Sequence, residues 1–220
     1  MSFSAANITA LIIAASFSAG LNIYATVLTL GILARTQWVP LPPGLESLGN
    51  TWVLVVCAIM FAIEFVVDKI PAFDMAWNFL HTLVRVPIAG LIAYNASSHL
   101  SPQMQILATA IGATIALATH TSKTAIRAAV TPSPEPISNI ALSTIEDTAA
   151  VGLTWFATHH PVIAASSALA ILIGAIILAR ALLRAIQRPL RRILRPDLEQ
   201  AKLRTSDASP TAPASDRPPQ

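Results

Sequence analysis

The sequence predicts an all-α polytopic membrane protein with about six transmembrane helices. Three observations carry that expectation. Of 220 residues, 54% are hydrophobic and only 11% charged, whereas soluble domains carry about 25% charged residues. Long apolar stretches recur, divided by Pro- and Gly-rich loops such as "PLPPGLESLGN" and "TPSPEP". The basic residues are unevenly spread: residues 1–183 hold six Lys/Arg against seven Asp/Glu, and residues 184–220 hold eight against four.

Six segments follow in order. Residues 7–35 form one long run of 29 residues, about 43 Å as a helix and longer than a bilayer core. It is expected to tilt or break, most naturally at "SAGLN", because Gly20 weakens a helix. Residues 51–67 are near the minimum for a span. Residues 74–98 are amphipathic and then apolar, with a kink or break expected at Pro87 and Gly90. Residues 102–130, 137–158 and 162–183 complete the set, the last being the most uniformly apolar.

The domain reading is a membrane domain over 1–183, a basic amphipathic segment over 184–204, and a disordered tail over 205–220. In the basic segment Leu183, Ile186, Leu190, Ile193 and Leu194 recur at helical spacing among Arg184, Arg188, Arg191 and Arg195. That pattern suits an anionic lipid surface. With both termini cytoplasmic, the inner side receives Lys69, Arg85, Lys123, Arg127 and the tail, and the outer side only Arg35. The expected location is a bacterial inner membrane. The start, "MSFSAANITA", lacks a basic n-region, so a retained first helix is expected rather than a cleaved signal.

A shift of 92 residues superposes Gly20 on Gly112, Arg35 on Arg127, Pro40 on Pro132 and Pro42 on Pro134. Repeats over 7–98 and 102–183 would each hold three spans. The second would then be inverted, as in many secondary transporters.

Five segments carry polar faces. Ser18, Asn22 and Thr26 share one face of the first, with Tyr24 close by. Glu64 and Asp68 are four apart in the second, and Lys69 adjoins them. Asp74, Asn78, His81 and Arg85 form a stripe in the third, and His120, Lys123 and Arg127 one in the fourth. Asn139, Ser143 and Glu146 form another in the fifth, beside Asp147. Intramembrane ionisable groups are costly and usually face a bundle interior or cavity. The acids of the second and fifth segments are therefore expected to oppose the bases of the third and fourth.

Cys57 is the only cysteine, so no internal disulfide forms. No Glu-x-x-His pair, zincin motif, nucleophile elbow or Walker loop occurs. The motifs imply no cofactor, and nothing supports nucleic-acid binding. A metal site from Glu64, His120, Glu146 and Asp147 would draw ligands from separate helices, which spacing cannot test.

The strings "AGLNIYATVLTLGILAR", "LPPGLESLG", "EFVVDKIPAFD", "HTLVRVPIAG", "THTSKTAIRAAV" and "SPEPISNIALSTIED" form a specific set. Over roughly residues 15–160 the chain closely resembles the bacterial membrane family of domain of unknown function 4126. That resemblance implies no activity. It departs at Val86, which separates Arg85 from Pro87 where the family pattern has the proline follow directly. "EFVVDK" is also similar, by analogy only, to the Glu-x-Gly-Asp-Lys signature of divalent-cation/proton exchangers.

The functional expectation is a transporter or channel for a small ion or solute, with proton coupling. Its path would use Glu64, Asp68, Glu146 and Asp147, with Arg85, His120 and Lys123 as counter-charges and His81, Asn22, Tyr24, Asn139 and Ser143 along it. A non-catalytic scaffold that binds lipid is the alternative. A third reading is an intramembrane enzyme acting on a lipid-linked substrate, and a non-enzyme is favoured over it.

Overall fold

The structure is a computed structural model that describes residues 4–68, 71–130 and 136–207, with side chains described outside 69–79, 130–139, 186 and 188–207. The side chains of Lys69, Asp74, Asn78 and Asn139, and residues 208–220, therefore lie outside the described residues. The described chain is all-α. It contains α1 (Ala5–Leu21), α2 (Ile23–Thr36), a 3-10 helix (Pro43–Gly49), α3 (Thr51–Val67), α4 (Pro71–Ala96), α5 (Pro102–Val130), α6 (Pro136–His159) and α7 (Pro161–Asp207).

Local chemistry sets these boundaries. Proline opens α4, α5, α6 and α7, the position where its missing N–H costs no helical hydrogen bond. Ser4 and Asn50 cap α1 and α3 by accepting from the amides of Asn7 and Trp52. Gln37 ends α2 in the left-handed region at φ 54°.

Contacts divide the chain into Met1–Arg180 and Ala181–Gln220. The Pro102–Ala129 part of α5 and the Pro161–Ala185 part of α7 are long and apolar enough to cross a membrane. The 3-10 helix and α3, bent by 68°, make a third candidate. α1 and α2 are shorter apolar helices. Two or three candidate spans locate the protein at a membrane.

The first segment breaks within the expected "SAGLN" stretch. It is not one tilted crossing but two helices that run in opposite senses. Ser16 lies against Gly112, and Gly20 lies against Ala116 and Thr119, so α1 runs with α5. Arg35 Nη1 donates to Thr51 Oγ1 at 2.9 Å, and Gly31 lies against Leu54, so α2 runs against α3. α3 starts beside the 3-10 helix whose Gly44 abuts Asn95, next to the start of α5, and ends where Asp68 meets Arg127. It too runs with α5. The chain thus enters as α1 and returns as α2. In a 3+3 inverted plan, segments one and four run oppositely throughout; here only α2 opposes α5.

Within that stretch the break falls at Asn22 and not at the glycine. Gly20 is helical, and the chain breaks at Asn22, extended at φ −147° and ψ 109°. Gly20 is required for another reason. A Cβ there would sit 2.5 Å from Thr119 Cβ, and one at Gly112 would sit 2.7 Å from Ala93 Cβ and 2.9 Å from Ser16 Oγ. Both glycines allow close backbone approach, joined by Ala14, Ala15, Ala19, Ala89, Ala93 and Ala116 in the core. Small residues at such contacts are how membrane helices gain packing energy without a hydrophobic drive. The same packing carries α4 through Pro87 and Gly90 as one helix. Of the kink or break expected there, the break is absent: Gly90 is seated on Thr109 of α5.

Gly20→Leu and Gly112→Leu should each destabilise the fold by about 1–3 kcal/mol through overpacking. Gly174→Leu should be neutral, since nothing lies within 4 Å of its Cβ position. Thermal unfolding in detergent measures the contrast.

Candidate functional site

Asn22 builds the centre of the site. Its N–H donates to Ser18 O at 2.9 Å, ending α1, and its Oδ1 accepts from the Ala25 amide at 2.9 Å, starting α2. Its Nδ2 donates to Asp147 Oδ1 on α6 at 2.9 Å. Lys123 Nζ on α5 donates to Leu21 O, a terminal carbonyl of α1, at 2.8 Å. The cation therefore meets the negative end of one half-helix, and the carboxylate reaches the positive end of the other through Asn22.

A charge cluster surrounds this tip. Lys123 Nζ also lies 3.1 Å from Glu146 Oε2 and 3.6 Å from Asp68 Oδ2. Arg127 bridges the same two acids, with Nη2 at 3.2 Å from Asp68 Oδ2 and Nε at 3.3 Å from Glu146 Oε1. Asp68 occupies the C-cap of α3, so its position follows from where that helix ends.

A second group adjoins it. Arg85 on α4 pairs with Glu64 on α3, and both are fully buried. Arg85 Nη1 also donates to His120 Nδ1 at 2.7 Å. A guanidinium only donates, so Nδ1 carries a lone pair here, and the proton is on Nε2, 2.8 Å from Thr82 Oγ1. Tyr24 of α2 meets His81 of α4 edge-on, with ring centroids 5.8 Å apart.

The structure thus brings together acids of α3 and α6 and bases of α4 and α5. Asp68, Glu64, Arg85, Lys123, Arg127, Glu146 and Asp147 are all buried. With His120 neutral, these are four carboxylates facing three cations. Glu64 Oε2 and Asp68 Oδ1 have no hydrogen-bond partner among the described residues, nor has buried Ser143 Oγ. The side chain of Asn139 lies outside the described residues. Sequence patterns missed Thr82 and Leu21. Thr82 follows His81 on the polar stripe and was open to recognition, whereas Leu21 contributes a backbone carbonyl that only the turn exposes. Among the described residues no group of three or more His, Cys, Asp or Glu is arranged to hold a metal ion. Glu64, His120, Glu146 and Asp147 do not converge, because each is engaged by a cation or by Asn22.

A cavity of about 420 Å³ lies between α1, α5, α6 and α7. Its lining is apolar apart from Thr119, Lys123 and Glu146.

Removing one member of a buried ion pair strands the other and costs about 3–5 kcal/mol, whereas replacing both with apolar groups is near neutral. Arg85→Leu should therefore destabilise strongly, and Glu64→Leu with Arg85→Leu should recover most of the loss. A double-mutant cycle on detergent-solubilised protein checks it.

No curated protein and no solved structure matches the chain. The domain of unknown function DUF4126 matches residues 9–181, most of the chain, so this protein belongs to the DUF4126 family.

Proposed function

We propose that the protein is a transporter or channel for a small ion or solute, coupled to protons. The carrying observation is the helical hairpin whose tip, Asn22, is seated among buried carboxylates and cations of α3, α5 and α6. Interrupted helices whose ends face charged groups are the usual construction of transporter sites. The excess carboxylate favours a cation or a proton as the balancing charge. Glu64 is the coupling acid: protonation would remove the charge that holds Arg85 and free the guanidinium to rearrange on His120. Glu146 and Asp147 form the second acidic position, and Lys123 ties it to the hairpin.

The topology that suits this reading has five crossings, by α3 to α7, with α1 and α2 entering and returning. The arginine-rich tail would be cytoplasmic, held at anionic lipid of a bacterial inner membrane. An odd number of crossings places the start of α1 on the opposite side. A non-catalytic scaffold is the second reading, favoured by the pairing of the buried acids with bases. It requires that deleting residues 184–220 abolish function while carboxylate substitutions alter function only as far as they lower stability.

The test uses purified protein in proteoliposomes with an internal pH dye and imposed gradients of Na⁺, K⁺, Mg²⁺ or phosphate. Wild-type protein should move protons with one of these. Glu64→Gln, which strands Arg85 and lowers thermal stability, should reduce the rate at least tenfold per folded molecule at a temperature where its helicity is unchanged. Wild-type vesicles silent to all four gradients, or a variant at full rate, would overturn the reading.

A further inference from the structure

The cavity touches that charge path only at Lys123 and Glu146, and the rest of its lining has a different chemistry. Phe17 of α1, Ile126 of α5, Leu142, Leu153 and Phe156 of α6, and Ile171 of α7 form its walls. Its few polar groups are already engaged. Thr119 Oγ1 donates to Ile115 O, Lys123 reaches Leu21 O and two carboxylates, and Glu146 holds Arg127. A polar ligand would lose its hydrogen bonds there, whereas cavities of this lining stay dry and accept hydrocarbon.

The surroundings identify the source of that hydrocarbon. The walls include α5 and α7, the two single helices long and apolar enough to cross a membrane. α6 packs on α1 and α2 but only lightly on α5, which leaves the gap between them. Gly152, in the wall, has no atom within 4 Å of its Cβ position. Arg180 is exposed five residues beyond Ala175, the last α7 residue of the wall, about 7.5 Å further along the helix. Arg180 also stands about 140° round α7 from Ala175, so its long side chain would meet the phosphate by wrapping over the helix while the acyl chain lies in the cavity.

We propose that the cavity binds one acyl chain of an anionic phospholipid, with the chain along α6 and the phosphate at Arg180. The chain fills the space that α5 and α6 leave open. It thereby sets the separation across which Lys123 and Arg127 reach Glu146.

Native mass spectrometry of the detergent-solubilised full chain, titrated with phosphatidylglycerol or phosphatidylcholine, tests this. Wild-type protein should retain one phosphatidylglycerol at collision energies that strip the rest. Gly152→Phe, which fills the cavity, should retain it at least tenfold less, while Ile106→Phe, on an exposed face of α5, should match wild type. Arg180→Gln should keep a bound lipid but lose the preference for phosphatidylglycerol. Undiminished retention by Gly152→Phe, a free fatty acid as the retained species, or no retained lipid in wild type would overturn the site. An unchanged preference in Arg180→Gln would overturn the placement of the phosphate.

Discussion

The fold depends on how the two half-helices end inside the protein. A helix terminus leaves backbone groups without partners, and within a membrane water does not supply them. Here one residue, Asn22, satisfies part of both termini, and Lys123 and Asp147 complete the match of charge to helix end. Without those partners a hairpin tip buried among these helices would be expensive. With them, α5 and α6 are drawn to the tip, and α3 follows through Asp68, which shares Lys123 with Glu146.

The ionic cluster is therefore more than a set of pairs. Lys123 meets a backbone carbonyl and two carboxylates from different helices, and Arg127 bridges the same two acids. Buried pairs seldom add net stability over an apolar core. What they provide here is discrimination: groups on α1, α3, α5 and α6 fit together in one register. A shift of the hairpin by one residue would separate Leu21 from Lys123 and Asn22 from Asp147.

Much of this was legible in the sequence, in specific ways. Spacings of three and four put Glu64 with Asp68, and His120 with Lys123 and Arg127, on common faces. The cost of buried charge then made opposition of acids and bases the natural outcome, and the ion pairs have that pattern. The direction of the chain was not legible. Hydropathy measures the length of an apolar run and carries no information on whether it crosses or returns. The run over residues 7–35 looks the same either way. Gly20 drew attention as a breaker because glycine weakens helices, yet its small size serves contact with Ala116 and Thr119. Asn22 acts as breaker because its side chain can replace backbone partners. Pro87 failed to break α4 because neighbouring packing outweighs a local preference. The engagement of Leu21 could not be read from a side-chain pattern at all.

The hairpin is the central claim, and sidedness tests it most directly. Ser4 and Ser47, both exposed, stand before α1 and after α2. Ser4→Cys and Ser47→Cys, each made in a Cys57→Ser background, can be labelled in intact cells and inverted vesicles with a membrane-impermeant maleimide. The hairpin requires both sites to react from the same face of the membrane. Reaction from opposite faces would show that residues 5–36 cross, and would contradict the account.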